Sequence, residues 1–350
     1  LSKRGLTKRD FVRASAAGAT LGLMSTASQA KQKDRAGSRE KELSAGWKFR
    51  EAGTGEWLAA TVPGTVHTDL LAAGKIPDPF YRTNERDLQW IDKKDWEYQT
   101  TLDVDAATLA HDHIELCFDG LDTYADVYLN DALILQADNM FRRWTADIKA
   151  HAKAGKNTLR VLLRSPVKEG LKLLDALAYN PPAVVDWSEI GGLGDKKISM
   201  FTRKAGYHYG WDWGPRFVTS GIWRPVRLRA RNGARISDLH IVQNNLSADK
   251  AELTAVFEII ADKAGPAIID LQSSSDASVN ARARILLEPG VNIAEIPFTI
   301  AKPKLWWTNG LGEAFLYEFV GHLAGARASD SRTVRTGLRT LKIVQQPDAE

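Results

Sequence analysis

Tyr207-His208-Tyr209-Gly210-Trp211-Asp212-Trp213-Gly214-Pro215 holds one carboxylate between two indoles, in a run bounded by glycine and proline. An indole offers a flat apolar face that matches the C–H face of a sugar ring, and a neighbouring carboxylate can accept hydrogen bonds from two adjacent hydroxyls. Asp212, with Trp211 and Trp213 beside it, is therefore a candidate carbohydrate-binding group. The same run can also be read as a Trp-rich core turn of a β-sandwich. Gly210 and Gly214-Pro215 favour a shaped loop over a continuous strand. Loops held on rigid sheets are where binding residues concentrate.

Other chemistry-bearing residues carry less. His111 and His113, two apart, would share a strand face, but with no third ligand nearby they argue against a metal site. Cys117 is the only cysteine; within Ile114-Glu115-Leu116-Cys117-Phe118 it reads as a buried, inert thiol. Glu85, in Asn84-Glu85, lacks a positioned partner and reads as a solvated loop residue. Gly191-Gly192-Leu193-Gly194 is not followed by Lys-Ser or Lys-Thr, so it reads as loop flexibility and not as a phosphate cradle.

The elements that must position Asp212 come from a chain of 350 residues with 44% hydrophobic content. At about 100–200 residues per domain this suggests two domains. The net charge of +4 is accounted for by the first thirty residues, where Lys3, Arg4, Lys8, Arg9 and Arg13 face only Asp10. The remainder is neutral, which points to neither a nucleic acid nor an anionic membrane as partner. Residues 1–30 have the order of an export signal: a basic start, an apolar stretch from Ala14 to Met24, and small Ser28 and Ala30. Thr7-Lys8-Arg9-Asp10-Phe11-Val12-Arg13 resembles a twin-arginine motif with Lys8 in place of the first arginine. The expectation is an exported protein, periplasmic or extracellular, with no membrane association after cleavage. An amphipathic first helix or a single membrane anchor is the alternative, although the apolar stretch falls short of the roughly 20 residues needed to span.

Residues 31–42 are charged, lack apolar periodicity and read as a linker. From residue 43 to 231, short runs with period-two alternation predict half-buried strands at Glu97–Val104, His113–Phe118, Ala125–Leu129, Leu133–Gln136 and Thr158–Leu163. Asn130-Asp131 is the expected hairpin turn. A helical insertion is expected from Val167 to Tyr179, and Gly221–Ala230 reads as the closing strand. Many short strands without alternating long helices predict a β-sandwich. After a boundary at Arg231-Asn232-Gly233, seven further runs, the last from Arg332 to Val344, predict an immunoglobulin-like sandwich over 232–340. Trp306 and Trp307 read as structural plugs.

Three motifs then agree. Gly210-Trp211-Asp212-Trp213-Gly214-Pro215, Ser220-Gly221-Ile222-Trp223-Arg224-Pro225-Val226 and Leu305-Trp306-Trp307-Thr308-Asn309-Gly310-Leu311-Gly312 resemble glycoside hydrolase family 2, the first in the form of its β-mannosidase branch. Val62-Pro63-Gly64-Thr65-Val66-His67 and Asp78-Pro79-Phe80-Tyr81 also fit. Thr308 stands where the family usually has proline. The resemblance implies a mainly β chain, a jelly-roll-like (galactose-binding-like) sandwich followed by an immunoglobulin-like one. In the family a (β/α)8 barrel with two catalytic glutamates follows, and Gly337-Leu338-Arg339-Thr340 is similar to the exit into it. Residues 341–350 are thus expected to begin that connection, with no catalytic residue in this chain, which alone should be inactive. The resemblance further implies a β-mannoside or manno-oligosaccharide substrate, no metal or organic cofactor, and a role for Asp212 in holding hydroxyls of the terminal mannose. Trp211 and Trp213 would fix and rim that loop. A non-catalytic carbohydrate-binding protein, a β-galactosidase or β-glucuronidase of the same family, and a purely structural sandwich pair are the alternatives.

Overall fold

The computed structural model describes residues 32–35, 38–183, 185–325 and 328–347. The expected export signal at 1–30 lies outside the described residues. Alternating apolar and polar side chains build the first sandwich, because successive residues of a strand point to opposite faces. Its strands are β1 Gln32–Arg35, β2 Ser38–Glu42, β3 Lys48–Glu51, β4 Leu58–Ala59, β5 Trp96–Val104, β6 His113–Phe118, β7 Tyr124–Leu129, β8 Ala132–Asp138, β9 Trp144–Asp147, β10 Gly155–Arg164 and β11 Val226–Arg231. One sheet has the order β1-β2-β11-β6-β9 and the other β4-β3-β5-β10-β7-β8. Phe49, Tyr98, Leu116, Phe118, Val127, Val161 and Val226 lie in the core that the two sheets share. Between β7 and β8, Asn130 and Asp131 have φ of 48° and 68°. Positive values at both central residues make this the tight hairpin turn expected there.

The segment read as a linker differs from that expectation. Ser38–Glu42 pairs with β11, Glu40 opposite Arg229 and Glu42 opposite Arg227. Its side chains are half-buried throughout, and Glu40 lies 3.5 Å from Arg227. The charge that suggested a linker is matched by arginines on the neighbouring strand.

Among the described residues, four α-helical segments interrupt the strands: α1 Val66–Ala72, α2 Asn84–Asp87, α3 Ala106–Leu109 and α4 Pro166–Asp175. Thr65 and Thr68 cap α1 reciprocally. α4 starts at the Ser165 cap with Pro166 in its first turn, and ends four residues before the predicted Tyr179. No helix among the described residues is long and apolar enough to cross a membrane.

The second sandwich contains β12 Arg235–Leu246, β13 Lys250–Ala261, β14 Gly265–Ser273, β15 Asn280–Leu287, β16 Gly290–Ala301, β17 Tyr317–Gly325 and β18 Ala328–Thr336. Its sheets, β12-β13-β16 and β15-β14-β17-β18, enclose Phe257, Ile269, Leu271, Phe319 and Leu323. The last strand stops at Thr336, short of the predicted Val344, because the chain turns inward there. Leu338 is buried, and its carbonyl accepts from the Trp306 backbone N–H at 2.9 Å. Arg339 lies over the Trp306 indole at 4.5 Å.

The two sandwiches meet at His113. Its Nδ1 is 2.7 Å from Asp147 in the first, and its Nε2 is 2.8 Å from Asp262 in the second. His111 does not share its strand face: β6 begins only at His113, and the His111 ring turns back to the Ala107 carbonyl. Cys117 is buried, and burial pushes its thiol pKa up, as an inert thiol requires.

Candidate functional site

The aromatic loop rests on a small core of its own. Val167 and Leu174 of α4 pack with Ile198, Tyr209 and Val218, so the helical insertion forms a floor beneath the irregular segment that follows it. Asp186 gathers that segment by accepting from the backbone N–H groups of Ile198 and Ser199, each at 2.8 Å. The Trp187 N–H donates to the Tyr209 carbonyl at 2.8 Å, and the Tyr209 hydroxyl donates to Thr202 at 3.0 Å. Gly210 follows with φ of 117°, and a Cβ at this position would stand 2.7 Å from the Trp187 ring. Both facts demand glycine.

Beyond Gly210 the chain makes a tight turn, closed by the Gly214 N–H to the Trp211 carbonyl at 3.2 Å. The Trp211 and Trp213 rings meet edge-to-face at 5.7 Å. Trp213 is 81% exposed and Trp211 36%. Asp212, between them, is exposed, and its carboxylate has no side-chain partner among the described residues. The three predicted site residues therefore share one turn, but the two indoles line the adjacent groove and Asp212 stands at its exposed tip.

Arg216 clamps the end of this turn and is completely buried. Its backbone N–H donates to Glu85 at 2.6 Å, and its carbonyl accepts from Gln89 at 2.9 Å. Its guanidinium donates to Gln89 and Asp92, both at 2.5 Å. Burial pushes the Asp92 carboxyl pKa up, while Arg216 pulls against it. Glu85 is thus a positioning residue and not the solvated loop residue expected from sequence; its partner is a backbone group far along the chain. Gly191 likewise serves close approach and not flexibility, since a Cβ there would stand 2.6 Å from the Arg216 guanidinium carbon.

The groove beside the turn encloses about 490 Å³. Trp211, Trp213, Phe80 and Phe217 wall it, and His208 and Thr219 supply its polar side. Phe80 meets Phe217 edge-on at 5.4 Å. Behind Thr219 lies a buried ion pair: Lys204, 0% exposed, against Asp122, 1% exposed. The Lys204 ammonium also donates to the Thr219 carbonyl at 2.8 Å. Burial lowers the Lys204 pKa, and Asp122 opposes that shift. Sequence reasoning missed this layer. Its only signal was the resemblance carried by the segments containing His67 and Phe80. No cluster of three or more His, Cys, Asp or Glu side chains able to hold a metal occurs among the described residues.

His67 and His208 both face this ion pair. Burial and then the nearby Lys204 charge depress each imidazole pKa to about 4, against about 6.5 in an unfolded chain. Both also feel Asp122, which acts in the opposite direction. The folded state therefore binds fewer protons than the unfolded one between about pH 4 and 6.5. Stability is complete above pH 6.5, falls as pH drops towards 4, and loses nothing more from these groups below that. Urea unfolding at pH 7 and pH 5 should show the loss, on the order of 1 kcal/mol per pH unit per histidine. His67→Gln should flatten the dependence; an unchanged slope would exclude His67 as its source.

The comparisons with known proteins agree with this architecture. The family descriptions "Glycosyl hydrolase 2 galactose-binding domain-like" and "Glycosyl hydrolases family 2" match residues 47–224 and 234–339. A β-mannosidase B from Aspergillus terreus is 34% identical over 321 residues, covering 88% of this chain and 36% of the relative. The Emericella nidulans β-mannosidase B is 35% identical, covering 87% of this chain and 36% of the relative. A solved β-D-mannosidase from Dictyoglomus thermophilum superposes with a TM-score of 0.81 at 34% identity, covering 89% of this chain and 37% of that one. An exo-chitosanase from Amycolatopsis orientalis shares the fold at a TM-score of 0.65 and 19% identity, covering 85% of this chain and 33% of that one. The chain thus spans about a third of the length of these relatives. With a galactose-binding-like sandwich followed by an immunoglobulin-like one, it belongs to glycoside hydrolase family 2.

Proposed function

We propose that this chain is the amino-terminal, non-barrel part of a retaining exo-β-mannosidase that removes terminal β-D-mannose from the non-reducing ends of glycans. In this reading residues 43–231 are the sugar-binding sandwich, 232–340 the immunoglobulin-like one, and 341–350 the start of the connection to a catalytic barrel. Residues 1–30 direct export to the periplasm or outside. The observation that carries the reading is the Trp211-Asp212-Trp213 turn, an exposed carboxylate without a side-chain partner among the described residues, beside an aromatic-walled groove of about 490 Å³. Sequence likeness over nearly the whole chain to proteins named β-mannosidases supports the choice of sugar.

Retaining hydrolysis needs one carboxylic acid to protonate the leaving oxygen and a second carboxylate to attack the anomeric carbon, about 5–5.5 Å apart. In this reading those groups belong to the barrel. This chain contributes orientation. Asp212 accepts hydrogen bonds from hydroxyls of the terminal sugar, which strengthen as the ring distorts and so favour the transition state. The indoles exclude water from one side and keep the turn in place.

Assays of this 350-residue chain beside the complete gene product, on an aryl β-mannoside and the matching β-galactoside and β-glucuronide, test the proposal. Cleavage of the mannoside alone, by the complete product alone, is expected. Preference for another glycoside would reassign the activity within the family. Sugar binding by a complete product that cleaves nothing would favour a non-catalytic carbohydrate-binding protein. Cleavage by the short chain would place a catalytic carboxylate pair within these residues.

A further inference from the structure

We propose that His208 is a sugar-binding group of the groove, held as the Nδ1–H tautomer so that its Nε2 lone pair accepts a hydrogen bond from one hydroxyl of the bound pyranoside. This rests on reading the groove as the sugar site. The argument begins at Asp122. Its carboxylate has no hydrogen to offer and lies 2.7 Å from the Thr219 hydroxyl, so that hydroxyl donates its single hydrogen to Asp122. Lys204 reinforces this direction, because its ammonium donates to the Thr219 hydroxyl oxygen at 3.1 Å. The same oxygen lies 2.9 Å from His208 Nδ1. With its hydrogen already committed, Thr219 can only accept, and Nδ1 must carry the proton.

Burial of the ring and then the neighbouring Lys204 charge disfavour a second proton on the imidazole. Nε2 is then an unprotonated acceptor at neutral pH. It has no partner among the described residues, and its ring lines the groove. Tyr207 packs against the same ring at 4.9 Å and limits its rotation. The preferred ligand is a pyranoside with a free hydroxyl at the position facing Nε2. An analogue lacking that hydroxyl leaves the acceptor unpaired.

The test is a substrate-by-variant cycle on the complete gene product. His208→Phe keeps a flat ring and removes the acceptor, and should lower kcat/KM for the aryl β-mannoside by about tenfold, the worth of a neutral hydrogen bond. Against each monodeoxy mannoside in turn, the loss should shrink to within about twofold for one analogue, which identifies the partner hydroxyl. His208→Gln retains an acceptor and should recover part of the loss, and Thr219→Val, which releases the tautomer, should resemble His208→Phe. Melting curves of each variant accompany the kinetics. A His208→Phe loss that is equal on the parent and all analogues, or an unchanged kcat/KM, overturns the proposal. Should the complete protein prefer another glycoside, the mannose assignment fails and the same cycle on that glycoside decides the role of His208. If it neither cleaves nor binds a glycoside, the reading of the groove fails and the proposal falls with it.

Discussion

Asp122→Ala is expected to lower the unfolding free energy by about 3–5 kcal/mol, the cost of leaving one member of a buried ion pair without its partner. Lys204 has no exposure in the folded protein, and its ammonium donates to both Asp122 oxygens. The Thr219 oxygens that it also reaches are neutral and cannot replace the lost charge. Asp122 further accepts from Thr123 and Thr219, so the substitution removes acceptors from two hydroxyls as well. Urea denaturation at pH 7 measures the effect. The double variant Asp122→Leu with Lys204→Met should recover most of the loss, because replacing a whole buried pair by apolar groups of similar volume is often neutral. A single-variant cost below about 1 kcal/mol would mean that solvent or rearrangement reaches Lys204 more easily than its burial implies.

The second large effect concerns activity and should leave stability almost untouched. Asp212→Ala in the complete gene product is expected to reduce kcat/KM on the β-mannoside by about 10²-fold or more, at roughly 1.5–3 kcal/mol for each charge-assisted hydrogen bond removed. The carboxylate makes no side-chain hydrogen bond or ion pair among the described residues and is exposed, so its removal costs the folded state little. The melting temperature should stay close to that of the parent. Retention of activity within a few-fold would remove Asp212 from the site, and a large fall in melting temperature would assign it a structural role instead.

These two variants separate two kinds of residue in one site. Asp212 was evident from its neighbours in sequence, because indoles and glycines on either side of a carboxylate form a local pattern. Asp122 was not, because it meets Lys204 across 82 positions and only the packing of the irregular segment onto the sandwich brings them together. Glu85 shows the same limit: taken alone it is an acid in a loop, and its role appears only when the Arg216 backbone N–H is found beside it.

Strand positions were legible for an equally physical reason. In residues 98–104 and in Gly155–Arg164 one face is buried, so alternation is written into the residues themselves. Ser38–Glu42 carries no such record, since its charges are matched by those of β11 and not hidden from water. The strand expected over Arg332–Val344 exceeds the observed one because apolar Leu338 continues the pattern, whereas the structure turns it inward after Thr336.

The sequence by itself therefore determined the two-sandwich organisation, the main strands and the aromatic turn that bears Asp212, since periodicity and turn chemistry are properties of neighbouring residues. Only the tertiary structure decided which groups surround that turn. The Arg216 clamp, the Lys204–Asp122 pair and the proton order through Thr219 to His208 depend on side chains distant in sequence meeting at hydrogen-bond distance, and neither composition nor spacing encodes such distances.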